Sequence, residues 1–194
     1  MIFLNFFKRM MGPHEPTPIH AFTQDTHYIC RCSSITKIEN LPSSLIYFDC
    51  DYTKISKLEN LPSGLQKLSC GANQISKLEN LPSSIKELVC YGNKITKLEN
   101  LPPGLELLKC DNNQITKLEN LPYSLKFLNC GINSITKLEN LPFGLQSLEY
   151  YRNPIKWVDN VLYTDICFTL KGYNAIKRIQ RRIKRRLRLK LNYK

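Results

Sequence analysis

The chain has 194 residues, of which 42% are hydrophobic and 23% charged, with eight cysteines and a formal net charge of +12. A length of this order accommodates one or two domains, and the apolar content is that of a globular chain rather than a disordered one. Residues 177–194 hold ten Lys or Arg and no acid, which leaves +2 of the +12 for residues 1–176, so the excess charge belongs to one end of the chain.

The first residues, MIFLNFFKRMM, are apolar over too short a stretch and are interrupted by Asn5, which makes a poor signal peptide and cannot span a bilayer. Residues 1–20 are read as an N-terminal segment or cap, with a membrane-surface anchor as the alternative.

From there the chain repeats itself. ITKLENLP occupies 95–102, 115–122 and 135–142, ISKLENLP occupies 55–62 and 75–82, and ITKIENLP occupies 35–42. Aligned from the Leu before each Pro, the unit is L-P-x-x-L-x-x-L-x-C-x-x-N-x-I-x-K-L-E-N, with clear copies from 41 to 140 and frayed copies at 21–40 and 141–160, seven repeats of 20 residues in all. A fixed period near twenty is the mark of a solenoid, whose units are each too small to bury their own apolar face and must stack.

The apolar sites of each unit are positions 1, 5, 8, 10, 15 and 18, as in Leu81, Ile85, Leu88, Cys90, Ile95 and Leu98. Positions 8 and 10 are two apart and share one face of a strand, while 7, 9 and 11 face the other way. One short strand per repeat follows, over about residues 86 to 90 in that copy. Successive strands are each reached by a full coil of chain and therefore run parallel. The return side is too short for an ordinary helix and carries Pro at position 2, so extended or polyproline-like backbone is expected there.

The run IKELVCYGNKI at 85–95 meets the signature L-x-x-L-x-L-x-x-N-x-L with Cys90 in a Leu place, and this pattern resembles the leucine-rich-repeat family over about 140 of the 194 residues. The added LP and the short period look like the twenty-residue class of secreted bacterial effectors, and the repeated KLENLP looks like repeat proteins of giant DNA viruses of amoebae. The resemblance implies a right-handed, curved leucine-rich-repeat solenoid that binds macromolecules with a parallel concave sheet.

Asn73, Asn93, Asn113, Asn133 and Asn153 fall where the chain leaves the strand, and a buried amide there satisfies backbone groups of the turn, so a stacked ladder is expected. Ser33 and Thr53 take that place in the first copies and suggest a weaker N-terminal end. Lys and Glu at positions 17 and 19, such as Lys97 and Glu99, form adjacent columns of opposite sign that keep their surface soluble. Cys30, Cys50, Cys70, Cys90, Cys110 and Cys130 share one inward position, which Tyr150 continues. Their Cβ atoms in neighbouring strands would stand about 4.8 Å apart, wider than the roughly 3.8 Å of a disulfide. They are read as reduced core residues, which implies a reducing, intracellular compartment, with no metal and no cofactor.

Catalysis finds little support. His14, His20 and His27 lie in or before the first frayed repeat, no nucleophile or carboxylate converges with them at a recognisable spacing, and no Gly-rich phosphate loop is present. Function should instead lie where the repeats differ, on the outward strand positions. There Tyr47, Asp49, Asp51, Lys67, Glu87, Tyr91, Lys109, Asp111, Phe127 and Tyr151 mix aromatics with both signs of charge, as protein-binding patches do. The charges on this face nearly cancel, so a phosphate backbone would find no basic groove there.

Residues 161–173 are read as a C-terminal cap and 174–194 as a basic amphipathic helix. Ile176, Ile179, Ile183, Leu187 and Leu191 recur every three or four residues as one apolar stripe, beside Lys177, Arg178, Arg181, Arg182, Lys184, Arg185, Arg186 and Arg188. The stripe suits covering the last coil; the charge suits nucleic acid, an acidic membrane surface or a calmodulin-like protein, since IQRRIK at 179–184 resembles the start of an IQ motif. Arg185 stands where that motif has Gly. The sequence as a whole reads as a non-enzymatic scaffold that engages a protein through its concave face. A basic tail as the active element, or self-assembly through open sheet edges, are the alternatives.

Overall fold

A computed structural model describes residues 19–24, 26–31, 34–158 and 161–162. The expected N-terminal segment up to residue 18, nearly all of the 161–173 cap and the basic helix over 174–194 lie outside those residues.

β1 (Ile19–Gln24) and β2 (His27–Arg31) form an antiparallel hairpin, with Ile19 opposite Arg31. The repeats then supply one three-residue strand each: β3 (Tyr47–Asp49), β4 (Lys67–Ser69), β5 (Glu87–Val89), β6 (Leu107–Lys109) and β7 (Phe127–Asn129). A two-residue strand, β8 (Lys137–Leu138), comes next, and the strand of the last repeat is β9 (Ser147–Glu149). β2 to β7 and β9 lie side by side, parallel and in chain order, with β1 on the outer side of β2. The register advances by one repeat at every step: His27 faces Tyr47, Tyr47 faces Lys67, and so on to Phe127 facing Ser147. The antiparallel β1 was not legible in the sequence: it crosses from residue 19 into the frayed copy at 21–40, where Ala21 and Phe22 stand in place of Leu-Pro and the repeat pattern predicts no strand. It places a paired strand over the N-terminal edge, which would otherwise present open backbone groups.

The inward columns are as the spacing predicts. Leu65, Leu68, Cys70, Ile75 and Leu78 are all buried, as are their counterparts in every clear copy. Position 1 alone is only half-covered, at Leu61, Leu81, Leu101 and Leu121. At the N-terminal end position 8 is aromatic, and Tyr28 and Phe48 stack with ring centroids 5.7 Å apart.

The return side contains no helix among the described residues. Its Leu-Pro pair opens a tight turn in which the proline carbonyl accepts from the Leu three residues on, as in Leu65 N–H to Pro62 O at 3.0 Å. Proline costs nothing here, since the turn asks only for its carbonyl. Neighbouring coils are also tied across this side, for example Gln74 N–H to Ile55 O at 2.9 Å. The closing Asn of each KLEN is left-handed, with φ of 55° at Asn60, 57° at Asn80 and 54° at Asn100. Asn is among the few side chains that enter this region readily, which accounts for a column the periodicity left unexplained. β10 (Trp157–Val158) pairs parallel with β8 and antiparallel with β11 (Val161–Leu162), making a small second sheet at the C-terminal end.

Candidate protein-binding face

The Asn ladder fixes the chain just beyond each strand and so holds the outward columns in place. Asn93 Nδ2 donates to the carbonyls of Cys70, Cys90 and Tyr91 at 2.9 to 3.1 Å, and its Oδ1 accepts from Ile75 N–H at 3.0 Å. Asn73, Asn113, Asn133 and Asn153 each repeat the pattern. In the earlier copy Thr53 offers one hydroxyl hydrogen, shared between Cys50 O and Asn73 Oδ1, and cannot supply the amide's set.

Beneath the ladder the six column cysteines form no disulfide, and all are buried. Burial pushes the thiols of Cys50, Cys70, Cys90 and Cys110 well above the ordinary range, and that of Cys130 to about 12. A protonated, enclosed thiol is a poor nucleophile and a poor metal ligand. Among the described residues no group of three His, Cys, Asp or Glu could hold a metal ion.

The outward face divides into two halves. In the N-terminal half the polar groups bind one another. Arg31 and Asp49 form an ion pair at 2.6 Å, and Tyr47 donates its hydroxyl to Asp49 at 3.2 Å. Asp51 accepts from Ser69 Oγ at 2.8 Å, from Gly71 N–H at 2.6 Å and from the Tyr91 hydroxyl at 3.2 Å. Asp49 and Asp51 are only 1% and 5% exposed. The sequence placed both on the surface as contact residues; the structure corrects this, because Arg31 and Tyr47 cover the first and Ser69 and Tyr91 close over the second. Lys67 and Glu87 remain accessible but pair with each other at 2.8 Å.

The C-terminal half is open. Phe127 and Tyr151 are 43% and 46% exposed, Lys109 is exposed, and Asp111 is half-buried. Three exposed aromatics escaped the sequence reading: Tyr52, on the strand side next to Tyr91, and Tyr123 and Phe143 in the turns. The signal for the last two was present, since position 3 is Ser or Pro in the four preceding copies at Ser43, Ser63, Ser83 and Pro103. That column lies off the strand, away from the outward positions 7, 9 and 11. On the opposite side of the coil, Lys77 with Glu79, Lys97 with Glu99 and Lys117 with Glu119 pair within each repeat at 3.5 to 3.7 Å. These exposed pairs add solubility and little stability.

The fold is that of leucine-rich-repeat proteins. YopM from Yersinia enterocolitica WA-314 is 32% identical over 66% of this chain and 29% of its own, with a TM-score of 0.61. A Shigella effector leucine-rich-repeat domain is 28% identical over 67% of this chain and 60% of its own, with a TM-score of 0.60. The functional domain of InlJ from Listeria monocytogenes, which includes a cysteine ladder, is 28% identical over 68% of this chain and 35% of its own, with a TM-score of 0.54. The chain thus spans less than two thirds of each of these proteins. No family model and no curated protein matches it by sequence.

Proposed function

We propose that the chain is a non-enzymatic scaffold that engages a protein partner through the C-terminal half of its concave face, around Phe127, Tyr151, Lys109 and Asp111. One observation carries this: in the N-terminal half Asp49 and Asp51 are held by internal partners, whereas the C-terminal half exposes Phe127 and Tyr151 beside Lys109 and Asp111, which form no ion pair among the described residues. Aromatics set among polar groups are the usual energetic centre of a protein interface. The solved proteins that share the fold include bacterial effectors, which suits such a role. No helix among the described residues is long and apolar enough to cross a membrane, and a column of reduced thiols suits a reducing compartment. In this reading the repeats belong to the short class with LP in every unit, as in effectors and in the viral repeat proteins they resemble.

The second reading makes the basic segment 177–194 the active element, on the strength of its ten cations without an acid. Capture of partners from a nuclease-treated cell lysate, by the full chain and by a chain ending at Tyr173, separates the two. A specific protein retained by the shorter chain at moderate salt, and lost on Phe127→Ala or Tyr151→Ala, supports the concave face. Binding that vanishes with the tail and falls steeply with salt sinks it. A mass that rises with concentration in light scattering would instead point to self-assembly.

A further inference from the structure

Position 11 of the repeat carries the order Asp, Gly, Tyr twice, at Asp51, Gly71 and Tyr91 and again sixty residues later at Asp111, Gly131 and Tyr151. The backbone arrangement is the same in both. A Cβ on Gly71 would collide with the Tyr91 ring, and one on Gly131 would stand 2.5 to 2.8 Å from ring atoms of Tyr151. In each triplet the tyrosine ring therefore lies against the glycine of the preceding coil, and Tyr91 reaches on from there to Asp51.

The donors differ. In the first triplet Ser69, Gly71 and Tyr91 all donate to Asp51, which is closed off. In the second, Asn129 stands in the place of Ser69, and its own Oδ1 takes the Gly131 N–H at 3.0 Å. The two donors that held the first carboxylate from the adjacent coil are thus withdrawn from Asp111. Among the described residues no other side chain donates to its carboxylate and no ion pair reaches it. Half-burial pushes this carboxyl's pKa up, against a backbone hydrogen bond at Asp111 and the field of Lys109, which pull it down. A half-buried carboxylate that no side chain occupies, two coils from an exposed tyrosine, is matched by a cation carrying several N–H donors. A bare metal ion is a poor fit, because a single carboxylate offers too few ligands.

We propose that Asp111 and Tyr151 form a subsite for a cationic side chain, an arginine or lysine of the protein partner, with the carboxylate as counter-ion and the Tyr151 ring as the stacking surface. This assignment rests on the concave-face reading. Asp51 and Tyr91 are its internal control, since the same framework there is filled by the protein itself.

The test is titration of the isotopically labelled full chain with N-acetyl-arginine amide, followed by NMR, with the neutral N-acetyl-citrulline amide as comparison. The expected result is a saturable shift of the Gly131 and Tyr151 amides with the arginine compound alone. It weakens by about tenfold in Asp111→Asn, a difference typical of losing a charge-assisted pair. Tyr151→Phe keeps the ring and should keep most of the binding, whereas Tyr151→Ala should lose it. Equal shifts with citrulline, equal binding by Asp111→Asn, or shifts confined to other residues would overturn the assignment. Partner capture distinguishes the two levels of failure. A partner lost on Phe127→Ala but unaffected by Asp111→Asn leaves the concave face standing without this subsite, while a partner indifferent to both variants removes the concave-face reading as well.

Discussion

At the scale of single residues, the repeat has two tight backbone positions that it treats differently. The closing Asn of each KLEN is left-handed and never varies from 40 to 140. Position 12 is left-handed too, yet it holds Tyr52, Ala72, Gly92, Asn112, Ile132 and Arg152, with φ between 51° and 61°. A β-branched side chain at Ile132 is the most strained of these, because its Cβ crowds the following carbonyl. Ile132→Asn should therefore stabilise the chain by about 0.5–1 kcal/mol after the loss of a half-buried side chain, read as a higher urea midpoint at unchanged slope. A lower midpoint would show that packing of the isoleucine outweighs its strain. The ladder gives the opposite sign. Asn93→Ala removes the acceptor of Ile75 N–H and the shared donor of three carbonyls, all close to the core. Leaving such groups unsatisfied should cost on the order of 2–4 kcal/mol, and a loss under 1 kcal/mol would mean that water replaces the amide easily. The ladder was legible in the sequence because an invariant Asn beside a strand has few other uses. The strain at Ile132 was not, because backbone sign leaves no periodic trace in a column that tolerates six different residues.

At the scale of the element, every strand of the parallel sheet is three to five residues long, too short to be stable alone, and is fixed by what its neighbours project across it. The Tyr91 ring is the plainest case: it passes over Gly71 to reach Asp51, forty residues earlier in the chain. Periodicity reveals which positions point outward, but not how far a side chain reaches along the stack, so Asp49 and Asp51 looked exposed in the sequence and are buried in the fold. For the same reason β1 escaped notice, because a strand that closes an array shares none of its pattern. The reach of Tyr91 makes a definite prediction. Gly71→Ala puts a methyl group where the ring lies, so it must expel Tyr91 and break its bond to Asp51. The single substitution should cost about 1–3 kcal/mol, as overpacking does, and Tyr91→Ala should cost a similar amount. In the double variant the methyl group has nothing to displace, so the two losses should fall short of additive by at least about 0.5 kcal/mol in a double-mutant cycle. Strict additivity would mean that the tyrosine does not rest on that glycine.

At the scale of the whole molecule, the stack behaves as one line of nearest-neighbour contacts, and its most uniform feature is the column of thiols running through it. The cause common to the five thiols from Cys50 to Cys130 is burial, which holds each of them protonated. The unfolded chain would ionise the same groups near pH 8.5. A folded-state pKa raised above the unfolded value means that stability is complete below about pH 8.5 and is lost as pH climbs toward the folded values, about 12 at Cys130. Each such thiol withdraws about 1.4 kcal/mol per pH unit in that window, so five together withdraw roughly 7 kcal/mol per unit. A domain of this size holds only about 5–15 kcal/mol in total, so one to two units above pH 8.5 should be enough to unfold it. Urea midpoints measured in reducing buffer should be flat from pH 7 to about 8.5 and then drop sharply, and Cys90→Ala should make the drop shallower by about a fifth, besides its own packing cost. A midpoint that stays level to pH 10.5 would show that water reaches the column and that the core is looser than its closed coils imply. The same linkage explains why the column tolerates cysteine at all. Below pH 8.5 the thiol is a small apolar group that fits a narrow coil, and the molecule needs no bond between neighbouring sulfurs to hold its coils together.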